Sequence, residues 1–179
     1  ASQWLTKILG MANNAPLRLV RFPQEEIRQV NPKYLHGEQS HTAFADGFPF
    51  LITSEESLEL LNKNLVKNMA SELSMDRFRP NIVIRGVLPF EEDSFDTLTS
   101  SEDLYQLGVR KPCERCPVTT TDQRTGQRAN PKEPLRTLVQ MNTHLGVRAA
   151  YFGQNATLLN GDAKVISVGD YLISKKKKL

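Results

Sequence analysis

The segment from Lys111 to Asp122 concentrates more chemistry than any other stretch of this chain. It reads Lys-Pro-Cys-Glu-Arg-Cys-Pro-Val-Thr-Thr-Thr-Asp and holds both cysteines of the protein. A cysteine thiolate can ligate a soft transition metal or act as a nucleophile, and neighbouring cations favour the thiolate over the thiol. We therefore take Cys113 and Cys116, with the nearby cations Lys111 and Arg115, as the first candidates for a functional site.

The spacing of the two cysteines disfavours a structural disulfide and a zinc site. A bridge between Cys113 and Cys116 would close a loop too short to add much stability. Because the first residues show no signal-peptide pattern, a reducing cytoplasm is the expected compartment. A structural zinc ion needs about four ligands in a tetrahedral arrangement. The chain adds only three scattered histidines to its two cysteines, so we do not predict one.

The composition indicates a single globular domain with a nearly neutral body. The chain has 179 residues, 39% of them hydrophobic and 24% charged, which suffices for one buried core. No apolar run approaches the roughly 18–20 residues that a membrane span needs. Without the four lysines at 175–178, the 23 basic residues drop to 19 against 20 acidic ones. We therefore predict a domain over 1–174 and a solvated tail over 175–179, with neither nucleic acid nor membrane as a partner.

Hydrophobic periodicity predicts more strands than helices. The most distinct helix spans 55–70, where leucines recur at helical spacing behind an N-cap supplied by Thr53 or Ser54. Further helices are predicted over 2–9 and 133–142, strands over 16–22, 48–53, 81–86, 105–111, 164–167 and 170–174, and a loop over 31–48. The last two strands are predicted to pair as a hairpin with Gly169-Asp170 at its turn. Because no βαβ alternation is present, we predict a β-rich α+β domain, a barrel with peripheral helices.

Six blocks of sequence occur in the order that is typical of one known domain. They span residues 41–58, 77–84, 89–93, 113–122, 133–138 and 152–155. Together they resemble the MOSC domain, the module named for the C-terminal part of molybdenum cofactor sulfurases. The branch they resemble contains the mitochondrial amidoxime-reducing component and bacterial reductases of N-hydroxylated compounds. The resemblance extends over about Trp4 to Ile173, nearly the whole chain.

The resemblance implies a β-barrel that holds a molybdenum–pterin cofactor through one cysteine sulfur. Cys116 matches the position of that ligand and is therefore the implied catalytic and metal-binding residue. Arg115 and Lys111 are expected to favour its thiolate form. The alternative for Cys116 is a small buried side chain. Cys113 remains open as a core residue, a group supporting the metal ligand or a redox partner.

The resemblance also implies residues for the pterin end of the cofactor. Its phosphate or nucleotide diphosphate suits arginine side chains and a helix N-terminus. Thr53, Ser54, Arg79 and Asn81 match family positions that line the cofactor. The alternative is that the hydroxyls only cap the helix and that Arg79 forms a surface salt bridge.

Four more residues complete the implied site. Thr120 and Asp122 follow Cys116 closely and are expected to orient the metal loop. Gln154 and Asn155 either contact the cofactor or shape a turn. Pyridoxal phosphate is not expected, because no lysine has a distinctive Schiff-base context.

The implied function is that of an oxidoreductase that reduces N-hydroxylated or N-oxygenated small molecules at molybdenum. A separate electron donor, a ferredoxin- or flavin-type reductase, would restore the reduced state. One alternative is a sulfur carrier in which Cys116 bears a persulfide during cofactor maturation. Another is a non-catalytic cofactor-binding domain.

The chain departs from the family pattern in several ways, of which the first bears on cofactor binding. The N-terminal subdomain of related full-length proteins, which contributes a Lys-Ser segment to pterin binding, is expected to be absent. Phe95 stands where relatives often have tryptophan. Weak cofactor binding by this chain alone is therefore an expected outcome.

Overall fold

A computed structural model describes residues 1–141, 143–144 and 146–178. These residues form three α-helices, α1 (Ser2–Leu9), α2 (Glu55–Lys67) and α3 (Leu135–Met141). The strands are β1 (Arg28–Gln29), β2 (His41–Thr42), β3 (Phe50–Ser54), β4 (Ile82–Ile84), β5 (Phe95–Ser100), β6 (Gln106–Glu114), β7 (Tyr151–Asn160) and β8 (Leu172–Lys176). Single 3₁₀ turns occur at Pro32–Tyr34, Met75–Phe78, Glu91–Ser94 and Pro117–Thr120.

The main sheet has six strands in the order β4-β3-β7-β6-β5-β8 and curls into a half-barrel. The β3–β4 pair is parallel and the other neighbouring pairs are antiparallel. Strands β1 and β2 form a separate two-stranded ribbon. The predicted β-rich α+β fold is confirmed.

The junction between β3 and α2 follows directly from its sequence. Ser54 ends the strand and caps the helix, since its Oγ accepts a hydrogen bond from the Ser57 backbone N–H at 3.1 Å. Glu55 and Glu56 place negative charge in the first turn, where the helix dipole favours it. The helix ends at Lys67 rather than at residue 70, because Met69 adopts a left-handed conformation with φ of 57°.

Two separate apolar clusters pack against the sheet, and β7 contributes to both. Ala156 packs with Ile52 and Leu107 in one cluster. Phe152 packs with Phe78 beneath α2 and α3 in the other. Strand β7 therefore fixes the α-helical side of the domain relative to the strands.

Several sequence predictions are corrected by the structure. Residues 16–22 and 164–167 form no strand, although their alternation of apolar and polar residues suggested one. Strand β8 pairs with β5 instead of closing a hairpin with 164–167. It continues through Lys176, and the Lys177 backbone N–H donates to the Ser94 carbonyl at 2.9 Å. The solvated tail is therefore shorter than predicted, because backbone pairing to a sheet edge requires no apolar side chain.

Within the described ranges, no helix combines the length and the hydropathy that a membrane crossing requires.

Candidate functional site

The cysteine segment continues from the end of β6 into a 3₁₀ turn. The Arg115 backbone N–H donates to the Ala150 carbonyl at 2.7 Å, which holds the segment beside the start of β7. Cys116 then caps the turn Pro117–Thr120, and its carbonyl accepts the Thr119 hydroxyl at 3.0 Å. Its thiol is exposed and free, so the alternative of a small buried side chain is wrong.

Arg115 contacts the other cysteine. Its Nη1 lies 2.8 Å from the Cys113 sulfur, and its Nη2 donates to the Phe78 carbonyl at 2.7 Å. The guanidinium carbon lies 5.7 Å from the Phe78 ring centroid, within range of a cation–π contact. Its Nε is buried and has no hydrogen-bond partner among the residues that the structure describes. Arg115 therefore ties Cys113 to the segment around Phe78 and leaves Cys116 uncovered.

A second arginine, Arg77, holds the far end of the same segment. No role was predicted for it from the sequence. Arg77 Nη1 donates to the Thr119 carbonyl and Nη2 to the Asp122 carboxylate, each at 3.3 Å. Asp122 also accepts the backbone N–H groups of Arg124 and Thr125. Hydrogen bonds from Thr125, first from its backbone and then from its hydroxyl, lower the pKa of Asp122. Asp122 thus shapes the loop that follows Cys116.

Thr120, also predicted for the site, is buried inside the turn. Its hydroxyl donates to the Pro117 carbonyl at 2.7 Å. It therefore stabilises the turn that begins at Cys116.

Arg79 and Asn81 follow Arg77 closely in the sequence but have different roles. Arg79 is exposed and adopts a left-handed conformation with φ of 54° directly after the turn Met75–Phe78. The Asn81 side chain accepts the Leu51 backbone N–H at 2.9 Å, and the Asn81 N–H donates to the Leu51 carbonyl at 3.0 Å. Asn81 therefore holds the start of β3, whereas Arg79 keeps a cationic side chain at the surface.

The hydroxyls of Thr53 and Ser54 are buried and already paired. Thr53 Oγ1 lies 3.2 Å from the Met75 sulfur. Ser54 caps α2 and donates to the Glu92 carboxylate at 3.0 Å. Both residues thus support the local fold, which is the alternative left open by the sequence.

Gln154 connects the site to a buried acid. The side chain is fully buried, and its Nε2 donates to Asp93 Oδ1 at 2.6 Å. Within the described part of the chain, its Oε1 has no hydrogen-bond partner. Asp93 Oδ2 lies 3.2 Å from His144 Nε2. Burial raises the pKa of Asp93 to about 6 against the opposing effects of Gln154 and Lys177. Burial, reinforced by Lys177, lowers the pKa of His144.

The residue before Asp93 is a second buried acid. Glu92 accepts the hydroxyls of Ser54 and Ser57, at 3.0 and 2.7 Å. Burial raises the pKa of Glu92 despite these hydrogen bonds. The single turn Glu91–Ser94 therefore anchors the cap of α2 with one carboxylate and Gln154 with the next. The sequence marked this Glu-Glu-Asp block as a family feature without assigning its residues a role.

Lys111 and Asn155 lie opposite each other in the β6–β7 pair. Lys111 Nζ is 4.9 Å from the Tyr34 ring centroid, so its ammonium interacts with an aromatic face. That Lys111 favours the Cys116 thiolate stays a prediction. Asn155 also pairs with Leu51 of β3, so its backbone lies in the middle of the sheet.

Gly153 brings β7 unusually close to β3. It has a φ of +79°, and a Cβ at this position would lie 2.7 Å from both the Ile52 carbonyl oxygen and Thr53 Cγ2. Only glycine meets both conditions without strain. The Phe-Gly-Gln sequence at 152–154 therefore reflects a close approach of the two strands, which places Gln154 beside β3.

These features define a class of protein: a β-rich α+β domain that displays an exposed thiol on a turn held by arginines. The profile of the family described as "MOSC domain" matches residues 39–172. Because that match covers well over half of the chain, the chain belongs to the MOSC domain family.

Curated relatives have the same family character. The chain is 36% identical over 185 residues to human "Mitochondrial amidoxime-reducing component 1", covering 97% of this chain and 51% of that protein. It is 37% identical over 142 residues to "Mitochondrial amidoxime reducing component 2" of Macaca fascicularis, covering 77% and 39%. The chain thus spans about half the length, or less, of these relatives. Their names place them in mitochondria, and the cytoplasmic location predicted from the sequence stays a prediction.

The arrangement fits the molybdenum cofactor with which the family is associated. In the described ranges no three His, Cys, Asp or Glu side chains are grouped closely enough to hold a metal ion alone. A single exposed thiol suits a metal that takes its other ligands from a bound organic group. The exposed guanidinium of Arg79 suits an anionic phosphate.

Proposed function

We propose that this domain binds a molybdenum–pterin cofactor through the Cys116 thiolate and reduces N-hydroxylated compounds. The exposed thiol of Cys116 carries the proposal. The turn that presents it is held at both ends, by Arg115 on the Cys113 side and by Arg77 on the Asp122 side. A ligand on such a turn is held in place before the metal binds, which lowers the cost of binding.

The remaining residues of the site hold and orient the cofactor indirectly. Arg79 contributes a cation for the phosphate end, and Thr53 and Ser54 fix the helix start beneath it. Asp122 and Thr120 set the path of the loop after Cys116. When bound, the cofactor supplies the two-electron chemistry, and the protein supplies position and electrostatics.

The substrate class is proposed from the names of the relatives, which describe amidoxime reduction. An N–OH group takes up two electrons and two protons, its N–O bond breaks, and amine and water are released. A separate electron donor of the ferredoxin or flavin type supplies the electrons.

Cofactor analysis of purified protein tests this proposal. Wild-type protein reconstituted with the cofactor is expected to hold molybdenum and pterin in near-stoichiometric amounts, and Cys116→Ser is expected to lose the metal. Cys113→Ser is the matched control, because its sulfur lies against Arg115, and it should retain the metal. Metal content in Cys116→Ser equal to that of the wild type would refute the ligand assignment.

The exposure of the Cys116 thiol also supports a second candidate, a persulfide carrier. Sulfur transfer requires an accessible thiol, and this one meets that requirement. Incubation with a cysteine desulfurase followed by mass spectrometry should then show a persulfide on Cys116 and none on Cys113. Tight cofactor binding without turnover would instead indicate a non-catalytic binding domain.

A further inference from the structure

Asp93 and His144 are a contacting pair of titratable side chains to which the proposed function assigns no role. Its two facing atoms are Asp93 Oδ2 and His144 Nε2, 3.2 Å apart. The Asp93 side chain is 17% exposed and the His144 side chain 23% exposed. The pair is thus partly shielded from bulk solvent.

The orientation of the Asp93 carboxylate is fixed from one side. Gln154 Nε2 donates to Oδ1 at 2.6 Å, which directs the other oxygen towards His144. Lys177 Nζ donates to the backbone carbonyl of Asp93 at 2.9 Å. The charged or titratable groups near Asp93 come from three elements: Glu92 on its own turn, His144 before β7 and Lys177 after β8.

The pair lies on the corner of the fold that carries the thiol. The His144 ring packs edge-on against Tyr151, with centroids 4.7 Å apart. Tyr151 is the register partner of Glu114, two residues before Cys116. The neighbouring Ala150 carbonyl accepts the Arg115 backbone N–H. Ala150 and Tyr151 thus connect His144 to the segment that presents Cys116.

We infer that Asp93 and His144 form a proton-donating pair for the reduction at this site, with Gln154 holding the carboxyl group in position. This inference rests on the proposed function. Each turnover breaks an N–O bond, takes two electrons from the separate donor and consumes two protons as the oxygen leaves as water. The pair delivers one of those protons to the departing oxygen and regains it from solvent.

The directions in which the pKa values of Asp93 and His144 are shifted agree with this role. Burial raises the pKa of Asp93 to about 6 and lowers the pKa of His144. Both shifts favour a neutral carboxylic acid beside a neutral imidazole. The acid is protonated below about pH 6, so turnover that depends on it falls as the pH rises through that value.

Two variants of the loaded protein test the role. Asp93→Asn and His144→Gln are expected to keep molybdenum, pterin and KM while kcat falls about 10²–10⁴-fold near pH 6. In Asp93→Asn the decline in kcat above pH 6 should also disappear. His36→Gln is the control, since His36 faces Asp96 at 3.8 Å outside this cluster. Unchanged kcat and an unchanged pH profile in both variants would overturn the inference.

An NMR titration of the imidazoles gives a readout that needs no cofactor. The His144 ring signals should show an inflection near pH 6 that comes from Asp93, and Asp93→Asn should remove it. Signals that titrate identically in both proteins would contradict the pairing. Wild-type protein that takes up no cofactor would overturn the proposed function and the proton-donating role together. If the His144 signals in that protein still show the inflection from Asp93, the contact between the two residues is retained and only the proton-donating role is lost.

Discussion

The guanidinium of Arg115 lies 2.8 Å from the sulfur of Cys113, although the family resemblance assigns the metal to Cys116. The two cysteines are three positions apart and have opposite environments. Cys113 is half-buried and contacted by a cation, whereas Cys116 is exposed. This division explains how one segment can hold its shape and still present a free ligand.

The two thiols should differ in reactivity. Cys116 is expected to react with iodoacetamide at least several-fold faster than Cys113, because Cys116 is exposed whereas Cys113 is half-buried. Peptide mass spectrometry of briefly labelled, metal-free protein measures both rates. Faster labelling of Cys113 would contradict the described environments.

Removing the Arg115 side chain should loosen the cysteine segment. Arg115→Ala loses the hydrogen bond to the Phe78 carbonyl and the contact with Cys113, so the free energy of unfolding should fall by about 1–3 kcal/mol. Urea unfolding measures this change. Arg124→Ala, at an exposed position, is the control and should leave the free energy of unfolding unchanged.

Gly153 should tolerate no side chain. Gly153→Ala places a methyl group 2.7 Å from the Ile52 carbonyl oxygen at a φ of +79°. We expect a loss of about 2–3 kcal/mol in the free energy of unfolding. Gly47→Ala, where no heavy atom lies within 4 Å and φ is not positive, should cost under about 0.5 kcal/mol. Equal stability of the two variants would argue against the close approach of β7 to β3.

Asp93 should make the stability of the wild type depend on pH with an unusual sign. Burial raises its pKa from 3.8 to about 6, so the native state binds this proton more tightly than the unfolded chain. The stabilising contribution is full below pH 3.8 and is lost as the pH rises through 6. Relative to Asp93→Asn, the wild type should therefore lose about 2–3 kcal/mol between about pH 4 and pH 6. Urea unfolding of both proteins at several pH values measures this. A constant difference in stability across that range would show that Asp93 has its ordinary pKa in the folded protein.

The sequence predicted the parts of the fold that rest on local signals. The end of β3 and the start of α2 are correct because one serine both ends the strand and caps the helix. Strand β7 was not predicted, because its Gly, Gln and Asn residues suppress the apolar alternation typical of strands. Strand β8 was predicted, but its partner was wrong, because pairing to β5 depends on backbone groups far apart in the sequence.

The site was predictable to a similar extent. The cysteine segment and the block around Arg79 were identified in the sequence, but nothing there showed that Arg77 and Arg115 join them. The Asp93–Gln154 hydrogen bond joins residues 61 positions apart. Such contacts are set by the packing of the sheet and leave no periodic pattern in the sequence.

The pairing of β8 with β5 has a consequence for how copies of this domain meet one another. Strand β8 is the last strand of the sheet order, so its outer backbone groups face away from the other strands. It ends in Lys175 and Lys176, and two more lysines follow. Like charges along a free strand edge repel an approaching strand of the same kind. The lysine run thus protects the open side of the half-barrel against edge-to-edge aggregation.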